Sequence, residues 1–238
     1  MHLYLARRQC VLCFSSFRTN RSCSASIANS LLDATSLSRL YWPQMSPLSM
    51  VSLCCLDMTH RKLNSPAGIF PGRGSVIWRD WYTHDVVNAT PGANTTLPAP
   101  LGHINVHLRD GSAILLHAQP AYTVEETRQG PFSLLVSQSS DGKAFGTAFI
   151  DDGISNPPGP SKTLSFVGST GQLQIRAKGT FVIKQILQDI TILGVNRLTT
   201  VTLHGETVKK WAYFEAQRKL VISEVNWDLN KPVSLSWK

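Results

Sequence analysis

The two histidines His103 and His107 stand four positions apart and carry side chains that could bind a metal ion. On a helix this spacing would bring both imidazoles to one face, as in many zinc sites. On a β-strand the same residues share a face but lie ~13 Å apart, at about 3.3 Å per residue. Residues 103–109 alternate between polar and apolar side chains, as a strand does. We therefore expect hydrogen-bonded or exposed histidines and no metal site.

The densest acidic cluster is Asp151-Asp152-Gly153, which follows Asp141 by ten residues. Calcium ligation and paired-carboxylate acid–base catalysis both use such residues. Adjacent residues of a strand point to opposite faces, which does not suit a catalytic pair, and Asp before Gly is typical of a turn. We expect a turn and assign no catalytic residue to this cluster.

Three aromatic residues, Trp78, Trp81 and Tyr82, could form a platform on which a sugar ring stacks, because their rings offer flat apolar faces. On a strand, Trp78 and Tyr82 would share a face and Trp81 would lie on the other. That arrangement favours packing in a core or an interface. A sugar-binding role for the three residues is the alternative.

Two glycosylation sequons, Asn88-Ala89-Thr90 and Asn94-Thr95-Thr96, lie six residues apart in a loop-like stretch. A third, Asn20-Arg21-Ser22, lies near the amino terminus. The close pair predicts glycosylation at Asn88 and Asn94 and favours an origin in the secretory pathway.

Sequence motifs of common enzyme classes are missing from this chain. It contains no Gly-x-Ser-x-Gly elbow, no His-Glu-x-x-His and no Gly-Lys-Ser/Thr phosphate loop. Gly72-Arg73-Gly74 lacks the third glycine of a dinucleotide-binding loop. We therefore predict no catalytic residue, no metal site and no cofactor.

The elements that would position these residues are β-strands. Residues 103–109 alternate strictly, Asp110-Gly111 forms a turn signal, and a second apolar run begins at Ser112. Further strand candidates are 132–136, 145–150, 163–167, 173–177, 180–183, 190–194, 199–203, 210–214, 219–223 and 233–237. No stretch of helical length shows a 3.6-residue period. The pattern predicts an all-β fold of two antiparallel β-sandwich-like units, residues 66–130 and 131–238, divided by the polar stretch 125–131.

The first 65 residues differ from the rest in composition. They hold all five cysteines and none of the 16 glycines, and their seven Lys/Arg against two Asp give a charge of +5. Cys10-x-x-Cys13, Cys23 and Cys54-Cys55 lack the two regularly spaced pairs of a zinc ribbon. The Arg- and Ser-rich, acid-poor composition suits a transit peptide but has no amphipathic period, and no apolar run is long enough for a signal peptide. We expect residues 1–65 to be an atypical, poorly structured extension.

Overall composition excludes several classes. The net charge is +8, but residues 66–238 carry only +3, which is too little to suggest a nucleic-acid partner. With 42% hydrophobic residues the chain can bury a core. No apolar run approaches the ~18 residues of a membrane-spanning helix. The length also cannot hold a (β/α)₈ barrel of ~250 residues beside another domain.

Several ordered motifs between Gly68 and Lys238 resemble the C-terminal part of glycoside hydrolase family 31, most closely the secreted fungal α-glucosidases. The motifs are Trp78-Arg79-Asp80-Trp81-Tyr82, Asn94-Thr95-Thr96, residues 99–112 (APLGHINVHLRDGS), residues 142–153 (GKAFGTAFIDDG) and the tail from 183 to 237. Departures from the family pattern are Arg79 for an aromatic residue, Asn105 for Pro, Asp110 for Gly, Leu116 for Pro and Ile154 for an acid.

The resemblance implies a C-terminal, non-catalytic portion of an α-glucosidase that hydrolyses O-glycosyl bonds in carbohydrate metabolism. Family members are retaining enzymes whose two catalytic carboxylates lie on a preceding (β/α)₈ barrel. No position here matches either carboxylate, so the chain is expected to be a fragment, inactive alone. The implied partners are α-glucosides, reached through the parent enzyme, and the missing barrel. The implied location is the secretory pathway, although this chain shows no convincing signal peptide. The alternative is a free-standing carbohydrate-binding β module.

Overall fold

In a computed structural model the described residues are 51–53, 67–72, 75–89, 93–100, 103–157 and 159–238. The cysteines, Asn20 and most of the extension 1–65 lie outside them. Within the described residues the chain forms seventeen strands and one helix: β1 Val51–Leu53, β2 Ala67–Ile69, β3 Trp78–Asp80, β4 Asn94–Thr96, β5 Val106–Arg109, β6 Ser112–His117, α1 Val124–Gln129, β7 Phe132–Ser137, β8 Ala144–Ile150, β9 Lys162–Ser169, β10 Gln172–Gly179, β11 Ile186–Leu193, β12 Val201–Leu203, β13 Glu206–Thr207, β14 Trp211–Phe214, β15 Lys219–Ile222, β16 Trp227–Asp228 and β17 Val233–Trp237. The all-β fold class is confirmed.

One large sheet contains most of these strands, in the order β13-β12-β17-β10-β9-β8-β6-β7-β11-β15-β14, with β16 paired to β11. Its pairings are antiparallel except for β6 with β8 and β7 with β11. Buried residues of β7, β9, β10, β11, β15 and β17 belong to a single hydrophobic cluster. Strands from distant positions in the sheet can share one cluster only if the sheet curls onto itself, so this region encloses its core as a sandwich does.

The period-2 pattern decides which side chains enter that core. In β9, Leu164 and Phe166 are fully buried while Val167 is 45% exposed, and in β10, Leu173 and Ile175 point inward. Gly146 in β8 allows the close passage of β6, because a Cβ there would lie 1.9 Å from the carbonyl oxygen of Ala113.

A smaller sheet, in the order β1-β5-β3, packs against the large one. Leu108 of β5 joins Ile114, Leu135 and Leu193 of the large sheet in a second buried cluster. A short pair, β2 and β4, lies near a third cluster formed by Phe70, Trp78 and Leu97.

Several details differ from the pattern read in the sequence. The strand expected at residues 103–109 begins only at Val106, and β1 lies inside the extension expected to be poorly structured, where it pairs with β5. β6 precedes residue 130 yet belongs to the large sheet, and the division into 66–130 and 131–238 stays a prediction. Helix α1 buries none of its side chains, so it leaves no apolar period, but Thr123 and Glu126 form the capping box that begins it.

Replacing Phe166 by alanine should lower the free energy of unfolding by about 3–5 kcal/mol, because the substitution leaves a cavity in the core. The matched control is Phe145 on the neighbouring strand, which is 40% exposed. Phe145→Ala should cost less than about 1 kcal/mol. Urea unfolding of both variants measures the difference, and equal losses would contradict the assignment of the core.

Candidate functional site

The register between β3 and β5 determines which side chains of the smaller sheet lie together. Asp80 stands opposite His107, Trp78 opposite Arg109, and Arg79 opposite Leu108. Residues opposite each other in an antiparallel pair share a face. Asp80 and His107 therefore face away from the large sheet, on the same side as Trp78, while Leu108 faces the large sheet.

The three aromatic candidates have different surroundings. Trp78 is 6% exposed, packs against Phe70 and donates its indole N–H to the carbonyl of Pro71 at 2.8 Å. Trp81 is half-buried and packs against the cluster around Leu108. Tyr82 is 54% exposed. The structure does not bring their rings onto one accessible surface, and a sugar-binding role for the three stays a prediction.

An open cleft of about 430 Å³ lies on the outer side of the smaller sheet. Its polar lining comes from the turn after β3 and from the segment leading into β5, and its apolar lining comes from three short segments. The lining residues are Asp80, Thr83, Asp85, Val86, Val87, Leu97, Pro98, Pro100, His103, Asn105 and His107. His103 and His107, expected to lie too far apart to share a metal, line the same cleft.

Hydrogen bonds hold the polar walls of this cleft in place. One carboxylate oxygen of Asp80 accepts from the amides of Tyr82 at 2.9 Å and Thr83 at 2.8 Å, and so caps the turn. The amide of Asp80 donates to the carbonyl of Asp85 at 2.9 Å. Asn105 donates its side-chain N–H to the carbonyl of Pro98 at 3.1 Å. The polar groups are therefore positioned by the backbone of the fold.

His107 is the most deeply placed polar residue of the cleft, at 2% exposed. Its ring meets that of Phe70 edge-on, with centroids 4.8 Å apart. Its Nδ1 is buried and has no hydrogen-bond partner in the part of the chain that the structure describes. Burial lowers the pKa of His107, against the opposing effect of the Asp80 charge, so the imidazole is neutral at pH 7.

Arg79, one of the departures from the family motif, is buried at the junction of the two sheets. It is 2% exposed and donates from one terminal nitrogen to the carbonyls of His84 and Gln217, both at 3.2 Å. Burial lowers the pKa of Arg79, and the positive charge of Arg218 adds to that effect. Arg79 thereby ties the smaller sheet to the β14–β15 hairpin, which is a structural role.

The Asp151-Asp152-Gly153 segment forms a turn, as its sequence predicts. Asp151 accepts from the amide of Gly153 at 2.9 Å, and Asp152 accepts from the amides of Ile154 and Ser155, each at 3.1 Å. These bonds use the carboxylates for backbone structure.

Asn88 and Asn94 are both exposed. Within the described ranges, no group of three or more His, Cys, Asp or Glu side chains is placed to hold a metal ion. Among the same residues no helix is long and apolar enough to cross a membrane.

Lowering the pH from about 7 to 5 should destabilise the chain, because burial lowers the pKa of His84, His107 and His117 in the folded state. The unfolded chain then binds more protons below ~6.5, the usual histidine pKa. This contribution to the free energy of unfolding is fully present above that pH. It is lost as the pH falls from there through the lowered pKa values of the folded state.

His107→Phe should reduce the slope of thermal midpoint against pH. Burial raises the pKa of Asp110, which opposes the trend in both proteins and cancels in the comparison. Identical slopes would contradict the assignment to His107.

Comparison with known proteins gives several relatives. The chain is 39% identical over 157 residues to an α-glucosidase of Schizosaccharomyces pombe and 43% identical over 148 residues to an α-glucosidase of Aspergillus niger. It is 38% identical over 159 residues to a protein of S. pombe described as a family 31 glucosidase. These matches cover 61–66% of this chain but only 15–16% of each relative. No family model matches the chain.

The fold is also found in solved structures. A glucosidase II α subunit aligns with a TM-score of 0.62 at 21% identity, covering 76% of this chain and 22% of that subunit. A family 31 dextranase of Flavobacterium johnsoniae aligns with a TM-score of 0.53 at 16% identity, covering 75% of this chain and 25% of the dextranase. The resemblance read in the motifs is thus confirmed: over about two thirds of its length, this chain is homologous to a segment of the family 31 α-glucosidases.

Proposed function

We propose that this chain is the non-catalytic C-terminal β portion of an α-glucosidase-type glycoside hydrolase, acting in the hydrolysis of O-glycosyl bonds beside a (β/α)₈ barrel. The observation that carries the proposal is the alignment itself. At 39–43% identity the chain matches only about a sixth of the α-glucosidases of S. pombe and A. niger. The rest of those relatives would hold the catalytic domain.

The roles of the acidic residues support a non-catalytic chain. Retaining glycoside hydrolysis needs two carboxyl groups ~5–5.5 Å apart, one as nucleophile and one as acid/base. Asp80, Asp151 and Asp152 each use a carboxylate oxygen to cap a turn. These three aspartates are better explained as structural groups than as reacting ones.

One end of the large sheet exposes apolar side chains that would suit contact with a barrel. Tyr122 and Val124, at helix α1, are 105% and 77% exposed, and Ile154 is 83% exposed. Arg128 of α1 lies against Gly153, which brings the helix beside the turn that carries Ile154. A concentration of exposed apolar residues is a common mark of an interaction surface.

A carbohydrate-binding β module is the second candidate function. The cleft of about 430 Å³ favours it, because the cleft combines carboxylate and imidazole groups with an apolar wall. The sugars in question are α-glucosides, which the names of the relatives suggest.

The purified chain should release no glucose from maltose. Catalysis by the chemistry of this family needs a pair of carboxylates, whereas Asp80, Asp151 and Asp152 each cap a turn. A coupled glucose assay measures this, with the complete A. niger α-glucosidase as the active control. Glucose release above an enzyme-free blank would overturn the proposal if that activity copurifies with the chain.

A secretory-pathway location is part of the proposal, supported by the exposure of Asn88 and Asn94 and by the likeness to an ER glucosidase II catalytic subunit. Produced behind a signal peptide in yeast, the chain should carry glycans at both positions. Asn88→Gln and Asn94→Gln should each remove one glycan, and Thr96→Ala should remove the second while keeping Asn94. Gel mobility before and after enzymatic deglycosylation measures the effect. Unchanged mobility in these variants would contradict the assignment.

A further inference from the structure

We propose that the turn after β3, residues 81–85, is a pH-operated latch: protonation of His84 releases this turn from the β14–β15 hairpin and loosens the junction between the two sheets. The latch is a property of the fold and does not depend on the proposed function. It opens while the core of the large sheet stays folded, so it differs from the loss of global stability at low pH.

One side chain fastens the latch to the hairpin. A terminal nitrogen of Arg79 donates to the carbonyls of His84 and Gln217, both at 3.2 Å, and so bridges the turn and the hairpin. Between residues 81–85 and residues 211–222, all of which the structure describes, there is no direct hydrogen bond or ion pair. The contact therefore depends on a single bridging guanidinium group.

The turn is also incompletely packed on the large sheet. A gap of about 230 Å³ separates Trp81 and His84 from the facing strands, where Leu116, Ser133 and Thr191 line it. Groups that border such a gap lack the dispersion contacts that close packing provides. The turn therefore gives up fewer contacts on leaving the sheet than a close-packed segment would.

The backbone of His84 is held in a conformation that it would leave on release. Its φ is 64°, in the left-handed region that most side chains avoid. Its amide donates to the carbonyl of Asp80 at 3.0 Å, and its carbonyl accepts from Arg79. Loss of the bond from Arg79 lets the residue leave this conformation, which also loosens the hydrogen bonds within the turn.

The imidazole of His84 provides the trigger. Its Nδ1 is buried and has no hydrogen-bond partner in the described part of the chain. A neutral imidazole can leave that nitrogen without a proton, whereas an imidazolium carries a proton on both nitrogens. Protonation in the closed latch therefore buries a charged N–H donor without an acceptor, which is strongly unfavourable. In the open turn, water accepts the hydrogen bond.

The charges at the junction oppose the same proton. Burial, and then the positive charges of Lys219 and Arg79, lower the pKa of His84, against the opposing effect of Asp80 and Asp85. Lys219 belongs to β15, so its repulsion acts across the contact that the latch closes. The latch is closed above the ordinary histidine pKa of ~6.5 and opens as the pH falls from there through the lowered pKa of the closed state.

The remaining elements around the turn add little charge to it. The strands β6, β7 and β11 face the gap with neutral side chains, Leu116, Ser133 and Thr191. His117, the next residue on β6, stacks on Phe132, and Asp189 of β11 accepts from the amide of Glu224 at 3.3 Å. The hairpin turn carries Glu215 and Arg218, which are both exposed. His84 is thus the titrating group that lies within the contact.

Hydrogen exchange of the full chain, measured by mass spectrometry at pH 7 and pH 5, tests the latch. Each rate is divided by the intrinsic rate at that pH. Protection of residues 79–87 should fall several-fold at pH 5, up to the ~30-fold that an ordinary histidine pKa of ~6.5 permits there. The strands β9 and β10 should stay at least about tenfold better protected than this segment at pH 5, because the latch opens without them.

His84→Asn removes the titrating group and suits the backbone, since Asn adopts a positive φ more readily than most residues. It should abolish the change in protection of residues 79–87 between the two pH values. The matched control is His204→Asn, at an exposed histidine with a φ of 52°, which should keep the change. Lys219→Gln removes a repelling charge and should reduce the change without abolishing it.

Three outcomes overturn the latch. The first is equal protection of residues 79–87 at both pH values. The second is a fall in protection that His84→Asn leaves unchanged, because another group would then cause it. The third is equal protection of this segment and of β9 and β10 at pH 5, because the whole fold would then be opening.

Discussion

The turn at Asp110-Gly111 constrains the whole arrangement, because the strands on either side of it belong to different sheets. β5 before the turn lies in the smaller sheet and β6 after it lies in the large one. Gly111 takes a φ of 70°, which a glycine adopts without steric cost, and the amide of Asp110 donates to the carbonyl of Ile77. With this corner in place, Leu108 and Ile114 meet in one buried cluster. The orientation of the cleft follows from the same corner.

Two of the departures from the family motif meet at this corner. Arg79 replaces an aromatic residue and Asp110 replaces a glycine, and each lies within the electrostatic reach of the other. Asp110 is 8% exposed and Arg79 is 2% exposed, so each is a charge buried at an unusual cost. Their opposite signs partly offset that cost. The two departures are thus physically coupled, which neither would suggest when considered alone.

The sequence was sufficient for the strands whose faces are clearly divided. Leu164, Leu173 and Ile175 alternate with polar neighbours, and all three are buried. The turn at Asp151-Asp152-Gly153 was equally predictable from the sequence, because Asp accepts hydrogen bonds from nearby backbone amides and Gly adopts a positive φ. These are interactions between residues that are close in the chain or repeat with a fixed period.

The cleft could not be predicted in the same way. It depends on the register that places Asp80 opposite His107, 27 residues later, and a one-residue shift would have turned His107 to the other face. His103 lies before the start of β5, so the distance expected from strand geometry does not apply to it. Arg79 carries no sequence signal of burial, since isolated arginines are usually exposed. Its position follows from tertiary packing alone.

The position of β17 in the large sheet has a consequence for biosynthesis. This strand, Val233–Trp237, is made after β10 and β12 but lies between them and pairs with both. A chain still emerging from the ribosome cannot join those two strands, and both keep an open edge until translation reaches this segment. Open edges are where strands from other molecules add on. Aggregation of nascent chains, rather than of the finished fold, is therefore the hazard that this topology creates for the cell.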